Sequence, residues 1–539
     1  MEEKLKNKFF NCEFCAFGTV VPNFAPQNHK KRRERRDAPV GSMIIMTIPN
    51  MFEFENVHIV KSKDENVKNV ERILGKSSDL LLNPFCIDNI PCCLLCFEGM
   101  VSTNTITNLM LRPLTQLTTG EQRSPQKLFE HIRDNMLMTI DRGMPTEYGD
   151  LIRRLMSGFA ILFIDGIDTA FAFGVQGYET RGVGEPSSEG NIRGSHEGFV
   201  ETVRTNMSLV RRRMKSPLLK FELFPVTKTS HVDVIIAYMT DRVPMSLVKK
   251  IRKQLEELPL ETILGSGYVE PFLNNTKRTI FSGSSVTERP DVFCAKILEG
   301  RIGILIEGTP FAIIVPSLFI ENFQTLDDYN FRPFYACLIR WIRYLAFFLA
   351  VFLPAVYAAM VTFHPELFNH TLLVTLAAAE QTAPLPIAVE AFIVLLFYEI
   401  IREAGVRLPK SVGGAVSIVG GLIIGDAAVS AGIISNPLLL VCAISVTASF
   451  VIPALNQPIT MLRFIAVAAG GICGLYGISL LAAAVLVNIC SLENYGAPVM
   501  SPVSPFTPKA MRDVLTRIGF KKMAEGQASV EKLHGVDMD

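Results

Sequence analysis

Up to about residue 335 the apolar positions come in short runs, each closed by a turn. From 344 to 490 they come in blocks long enough to cross a bilayer. In the first regime, Cys92–Arg112 predicts an apolar strand (CCLLCF), an acidic turn at Glu98-Gly99 and a helix over Asn104–Leu111. Val232–Leu258 repeats the plan, with the strand VDVIIAYM, a polar turn at Asp241-Arg242 and a helix from Met245. That helix sets Leu247, Val248, Ile251, Leu255 and Leu258 on one face, with Lys249, Lys250, Arg252 and Lys253 largely opposite. Each unit is followed by a β-rich run broken by an acid–glycine pair, ILFIDGIDTAFAFG over Ile161–Gly174 and ILIEGTPFAIIV over Ile304–Val315, which predicts two hairpins. Glu98 to Asp241 is 143 residues and Asp165 to Glu307 is 142. One offset shared by two separate elements predicts an internal duplication. The expected units are two α+β subdomains of similar design, 51–215 and 216–335, meeting near Lys215–Pro217. A chance likeness of two strand–turn pairs is the alternative.

Between the units, Gly182–Arg213 begins rich in glycine and proline and so reads as a loop. It then becomes helical, with Phe199, Val203, Leu209 and Val210 available to bury. Arg211, Arg212 and Arg213 close the helix, where cations suit its dipole. The glycines lack the GxxxxGK[ST] pattern and no strand leads straight into them, so they do not read as a phosphate loop.

Five apolar blocks follow. Tyr344–Thr362, Leu438–Leu455 and Phe464–Cys490 carry no charge; Ile387–Ile401 holds Glu390 and Glu399, and Val412–Ile434 holds Asp426. Basic residues flanking a span mark its cytoplasmic end. Arg340 and Arg343 therefore place the soluble half in the cytoplasm, and Arg402, Arg407 and Lys410 bring the chain back to that side. Five simple spans leave the tail outside, whereas Lys509, Arg512, Arg517, Lys521 and Lys522 favour the inside. Either the last block, interrupted by Gly470, Gly471, Gly474 and Gly477, dips in and returns, or the short Ile387 block is re-entrant. The expectation is an all-α multi-pass membrane domain over 336–490 with about four to six spans or re-entrant segments, then a cytoplasmic tail over 491–539. Gly421/Gly425 and Gly470/Gly474 permit close helix contact, within one chain or between copies. Embedded acids are costly and should face protein or water. Glu399 and Arg402, three apart, suit an ion pair. Asp426 has no evident local partner and fits either a water-filled path or an interhelical hydrogen bond.

Composition sharpens this division. Of 539 residues 49% are hydrophobic and 19% charged, and 344–490 contains only ten charged residues, so a purely soluble enzyme is excluded. The net charge of +1 argues against nucleic acid as a partner. Residues 1–50 read as a disordered arm with a basic run at Lys30–Arg36, without the apolar stretch of a signal peptide. Eleven scattered cysteines suit a reducing compartment. Two pairs, Cys12/Cys15 and Cys93/Cys96, have CxxC spacing, but the second lies in an apolar run that reads as a buried strand. No HExxH or GxSxG occurs and the histidines are scattered, so neither enzyme nor cofactor is indicated. Asp165 and Glu307 are explained by hairpin turns.

A set of longer motifs runs in order along the chain: Glu185-Pro186 with Glu189; Arg193-Gly194 leading into Glu197-Gly198-Phe199-Val200-Glu201; Thr205-Asn206; Arg211-Arg212-Arg213; Glu288-Arg289-Pro290-Asp291; Gly300-Arg301-Ile302-Gly303-Ile304-Leu305; Gly308-Thr309-Pro310-Phe311; Asp327-Asp328-Tyr329; Arg402 to Pro409; and Ile418 to Val429. In these the chain resembles the A subunit of the GerA-type spore germinant receptors of endospore-forming bacteria, from about Val67 to Pro505. Ser195-His196 stands where that family usually has a proline and a basic residue, and the first 50 residues have no counterpart.

The resemblance implies a multi-pass protein of the spore inner membrane with a cytoplasmic N-terminal region. It implies complexes with a transporter-like B subunit, taken to hold the nutrient, and a C-type lipoprotein subunit. It also implies self-association into a homo-oligomer forming a nutrient-gated channel for monovalent cations. On that reading Asp426, Glu390 and Glu399 are the candidate pore or coupling residues. Glu185, Pro186, Glu189, Arg193, Gly194, Arg211 and Arg212 form the family-motif loop, and Arg340, Arg343, Arg402, Arg407 and Lys410 flank the membrane. A non-conducting scaffold of the same receptor complex is the alternative. A secondary transporter ranks last, because the duplication is found only in the soluble half.

Overall fold

Strands that are apolar at every position, rather than at every second one, need cover on both faces. FAILFI and IGILI are such strands, and every residue in each is buried. The computed structural model describes residues 54–539 except 116–123, 136–140, 178–183, 187–188, 191–192, 227–229, 275–278, 382, 409–424, 426, 518, 520–529 and 539. Its first antiparallel sheet contains β1 (Leu80–Ile87), β2 (Ile90–Phe97), β3 (Arg142–Gly143), β4 (Phe159–Ile164) and β5 (Phe171–Gly174), ordered β1-β2-β4-β5-β3. The second contains β6 (Leu219–Val226), β7 (Val232–Met239), β8 (Ser285–Thr287), β9 (Ile302–Ile306) and β10 (Ala312–Val315), ordered β6-β7-β9-β10-β8. The two orders are the same.

The helices repeat as well. On the first sheet, α1 (Lys63–Ile73) and α4 (Tyr148–Leu155) pack with Cys93, Leu95 and Phe163 on one face. A helical segment over 103–115, π-helical at Ile106–Leu111 and here called α2, packs with α3 (Pro125–Asn135) against Cys92, Leu94 and Leu162 on the other. On the second sheet α5 (Val203–Arg213) and α8 (Pro290–Leu298) take the places of α1 and α4. There α6 (Met245–Glu256) and α7 (Ser266–Leu273) take those of α2 and α3. Each unit is thus a sheet between two layers of helices. The positions expected to bury on α6, namely Leu247, Val248, Ile251 and Leu255, are in the core.

The duplication extends to single hydrogen bonds. Asp165, in the β4–β5 turn, accepts the first amide of α1 (Lys63 N, 3.0 Å), and Glu307, in the β9–β10 turn, accepts the first amide of α5 (Val203 N, 2.7 Å). The following glycines, with φ of +89° and +85°, donate to Lys61 O and Glu201 O, both at 2.8 Å. Buried Asn66 holds both backbone groups of Val60, and buried Asn206 holds both of Val200. The two hairpin acids are helix caps, which satisfy amides that a helix start leaves free. Because α5 packs on the second sheet, the expected boundary near Lys215–Pro217 cuts between a helix and the sheet it covers. We place it before Phe199.

The CxxC spacing at Cys93 and Cys96 puts the two thiols on opposite faces of β2, since a strand alternates with period two. Burial pushes the Cys96 thiol up to about 11 and the Cys92 thiol up to about 12. These are core residues.

Arg211 joins the two units. Its guanidinium is buried, bonded through Nε to Asp79 Oδ2 (2.8 Å) and through Nη2 to Asp79 Oδ1 (3.1 Å), and it lies over the rings of Phe97 (4.8 Å) and Phe221 (5.0 Å). Asp79 and Phe97 belong to the first unit, Arg211 and Phe221 to the second.

Beyond the sheets, α9 (Pro333–Phe363), α10 (His370–Glu380), α11 (Ile387–Arg407), α12 (Asn436–Ser449) and α13 (Asn456–Ser491) form an apolar bundle. Among the described residues two helical stretches, Pro333–Phe363 and Pro453–Ser491, are long and apolar enough to cross a membrane. The second is not one rod. Gly474 has φ 62° and ψ −150°, and the chain reverses there. The arm 456–473 climbs beside α9, with Arg463 at Ala350, Gly470 at Ala355 and Gly474 at Phe363 and His364. The arm 475–491 comes back, so that a Cβ on Gly477 would lie 2.5 Å from Ala469 O, and Ile489 shares a cluster with Leu455, Ile459 and Leu462. The Gly470/Gly474 pair therefore serves contact within the chain.

The tail then folds onto the soluble half. β11 (Glu493–Asn494) and β12 (Ala497–Pro498) make a short hairpin, and Tyr495, Ala497, Val530 and Met538 enter the core of the second unit.

Removing one partner of a buried ion pair leaves an uncompensated charge. Arg211→Met should lower the unfolding free energy of the purified chain by about 3–5 kcal/mol in urea titrations, and Arg211→Met with Asp79→Leu should regain most of it. Equal losses in the single and double variants would contradict this reading.

Candidate functional site

The meeting point of soluble half and bundle is built by a short stretch of sequence. Asp327–Asn330 forms one helical turn, and α9 starts with Pro333 in its first turn, where a missing amide costs nothing. Arg340 and Arg343 are three apart, so both point to one side of α9. They converge on Asp328, which is 1% exposed. Arg343 Nη1 donates to both Asp328 oxygens at 2.8 Å, and Arg340 donates through Nε (3.3 Å) and Nη2 (3.2 Å). Arg343 also reaches Phe323 O (3.1 Å) and Thr325 Oγ1 (3.0 Å). From the tail, Asp513 accepts from Tyr329 OH (2.7 Å) and pairs with Arg340 (3.5 Å), while its carbonyl accepts from Gln324 (3.0 Å). Trp341 Nε1 donates to Leu515 O at 2.7 Å. Two arginines and two aspartates balance in charge, which is the condition for burying them. Burial and the Asp513 carboxylate push the Tyr329 hydroxyl's pKa up.

A second cluster anchors this node to the second unit. Arg301, at the start of β9, is fully buried and bonded to Glu321, which also pairs with Lys296 (3.0 Å). Burial alone would raise the Glu321 carboxyl; Arg301 and Lys296 overcome it and hold it at about 2.

Inside the bundle, Pro354 has no amide to give the carbonyl of Ala350, four residues before it. Ser445 Oγ (2.8 Å) and Arg463 Nε (2.8 Å) take that carbonyl instead, so one freed backbone group ties α9, α12 and α13 together. Glu399 pairs with Arg402 (2.6 Å), and Arg402 reaches Asn456 (3.1 Å). Glu390 is fully buried and accepts the Ser435 amide; the Ser435 hydroxyl donates to Glu380 (2.9 Å), as does Tyr357 (3.1 Å). Among the described residues there is no cluster of three or more His, Cys, Asp and Glu suited to a metal.

The family model for the Bacillus/Clostridium GerA spore germination protein matches residues 68–528. The chain belongs to the GerA family. It is 36% identical to spore germination protein KA of Bacillus subtilis (strain 168) over 88% of each chain. To spore germination protein GerLA of Bacillus cereus it is 31% identical, over 84% of this chain and 92% of that one. The crystal structure of the N-terminal domain of the A subunit of the Bacillus megaterium spore germinant receptor GerK3 aligns with 29% identity and a TM-score of 0.39, covering 49% of this chain and 98% of that one.

The candidate residues of this GerA-family chain fall into separate places. Arg340 and Arg343, expected to flank the membrane, are enclosed in the node. Arg402 is taken up by Glu399, and Arg407 pairs with Glu403 on the surface (2.7 Å). Asp426 and Lys410 lie outside the described residues, as do Cys12, Cys15 and the Lys30–Arg36 run. The family-motif loop is pinned over the edge of the second sheet. Glu189 accepts from Thr287 (2.6 Å), Arg213 from α5 reaches Ser195 (2.7 Å), and Arg212 pairs with Glu197. Burial raises the Glu189 carboxyl, opposed by Thr287 and Arg289. Glu185 pairs with His196 at the surface (3.1 Å), and the Pro186 backbone lies against Gly198. Next to Gly194, the backbone of Arg193 bonds Asp327 (3.3 Å) and Asn330 (2.5 Å), so the loop ends on the junction turn. Arg211 locks the two units. Asp328, Asp513, Glu380 and Ser435 were not singled out from the sequence as site residues; only Asp328 had a signal, its place in a family motif.

Glu321 is depressed in the fold, so its contribution to stability is present above pH 4.5 and lost as pH falls toward 2. Urea unfolding of the full chain between those limits should show this loss, and Glu321→Gln should flatten it. The same slope in the variant would contradict the pairing with Arg301 and Lys296.

Proposed function

We propose that this GerA-family chain is the membrane subunit of a nutrient germinant receptor that triggers spore germination. In this reading it forms an oligomeric, nutrient-gated cation channel with B-type and C-type partners in the spore inner membrane. The observation that carries the reading is the buried node of Asp328, Arg340, Arg343 and Asp513. It fixes the first membrane helix to the soluble units and to the tail, so a movement of either unit reaches α9 without slack. Nutrient bound by a partner biases the channel only through its difference in affinity between closed and open arrangements.

Topology supports a membrane role with both soluble parts in the cytoplasm. Ser435 lies at Glu390 near the start of α11, and Asn456, just past α12, lies at Arg402 near its end. So α12 runs in the direction of α11. The reversal at Gly474 returns the tail to the side where its contacts with the second unit lie. The Pro354 break, bridged by Arg463, gives α9 a bend point within the bundle.

Spores carrying Asp328→Asn, with wild-type levels of the subunit in their membranes, should show at least tenfold slower nutrient-triggered K⁺ release. They should germinate normally when a nutrient-independent trigger is used. Wild-type release from such spores would remove the node from signalling. Purified receptor that signals but passes no nutrient-dependent current in bilayer recordings would favour the scaffold reading.

A further inference from the structure

One helix of the second unit is apolar on both sides. In α7, Val269 and Leu273 enter the core of that unit. Tyr268 and Phe272, four apart, lie one above the other on the outer side, and Leu264 precedes the helix. Leu264 is 68% and Tyr268 47% exposed. The one charged residue of α7, Glu270, is taken up beside the helix, where it accepts from Ser282 Oγ (3.1 Å) and Ser284 Oγ (3.0 Å). A surface helix in water carries charged and polar residues on its outer face. The duplication supplies the comparison. In the first unit α3, which holds the place of α7, exposes Gln126, Lys127, Glu130, Arg133 and Asp134. The neighbouring α6 likewise exposes Lys249, Lys250 and Lys253.

What α7 faces follows from its C-terminal end, which is tied to the bundle. Asn274, the residue that closes α7, accepts the Gly283 amide (3.0 Å), and Gly283 O accepts from Asn494 (2.8 Å), just past the end of α13. Thr279 Oγ1 donates to Asn488 Oδ1 (3.4 Å) in the last turn of α13. Phe281 meets Phe319 edge-on (5.3 Å), and Phe319 meets Phe347 of α9 (6.1 Å). Phe347 lies one turn past Arg343, inside the first apolar block. Ile280, between Thr279 and Phe281, is exposed, as are Leu486 and Val487 next to Asn488. The apolar side of α7 therefore runs out from the point where the outer surface of the bundle begins.

We propose that α7 lies on the cytoplasmic surface of the membrane, with Leu264, Tyr268, Phe272 and Ile280 set into the boundary between lipid headgroups and acyl chains. Lipid is the occupant because the face is continuous with the exposed apolar side of α13. A tyrosine, apolar in its ring and polar at its tip, suits that boundary. Glu261 and Thr262, exposed before Leu264, mark where the face returns to water. The contact holds the second unit to the bilayer at a place separate from the Asp328 node, by burial of an apolar helix face. The inference rests on the membrane reading of the bundle and not on conduction.

The test uses the full-length chain with p-benzoylphenylalanine in place of Tyr268, Phe272, Val487 or Asp64, one at a time. Each is placed in nanodiscs of equal parts phosphatidylglycerol and phosphatidylethanolamine with tritiated acyl chains, and irradiated. All four side chains are exposed, so the substitutions leave the cores intact. Position 487, on the bundle, checks the membrane reading by itself, and position 64, in the first unit, gives the background. Positions 268 and 272 should each take up label several-fold above position 64 and at a level comparable with position 487. Label at 487 with only background at 268 and 272 overturns the α7 contact and leaves the membrane reading standing. Background at 487 as well overturns both. A band of twice the chain mass from 268 or 272, in place of lipid label, means that a second copy covers the face and overturns the lipid assignment.

Discussion

A carboxylate held beneath two guanidinium groups ties a pair of water-soluble sandwiches to a bundle of apolar helices. Asp328 leads into α9; Arg340 and Arg343 come from its second and third turns, and Asp513 from the far end of the chain. Taking four charges out of water costs several kcal/mol per ion. Attraction repays that only where the donors find their oxygens, so the geometry is tightly specified. Remove Asp328 and two buried arginines are left with half their counter-charge. An apolar contact of the same size slides; this one does not, which is the property a mechanical connection needs.

The soluble half gains its stiffness from repetition. A chain of nine elements, used twice, gives two three-layer units with the same strand order and the same pair of caps. Where the repeat diverges, function enters. Arg211, at the end of the helix that opens the second unit, has been drawn across to Asp79 of the first. The loop before that helix is pinned to the second sheet by Thr287 and Arg213 and ends on the junction turn. The first unit, the loop, the second unit and α9 are therefore connected in series by polar contacts.

Much of this was legible in the sequence, for a physical reason. A sheet covered on both faces needs unbroken apolar strands, and a repeated strand–turn–helix leaves a repeated offset, so the duplication was visible before any coordinates. The glycines at 470–477 marked the last block as one that could dip in and return, with a re-entrant Ile387 block as the alternative; the positive φ of Gly474 is where the helix breaks. The pair Glu399 and Arg402 followed from helical spacing alone. What was not legible depended on long-range contact. Nothing local to Arg340 and Arg343 says that Asp328 and Asp513 will neutralise them; their spacing shows only that they flank the first span. Nothing near Ser435 says that two acids lie 45 and 55 residues before it. The unit boundary was misplaced because α5 follows a loop and precedes a proline, while its packing partner, the second sheet, is formed later in the chain.

One buried ion cluster holds the two units, the tail and α9 together as a single body. Hydrogen–deuterium exchange on the full chain in nanodiscs, with and without Asp328→Asn, tests it most directly. The account predicts faster exchange in the variant at three places together, 319–330, the first three turns of α9 and 511–517, with both sheets unchanged. Faster exchange confined to 325–330 would contradict it.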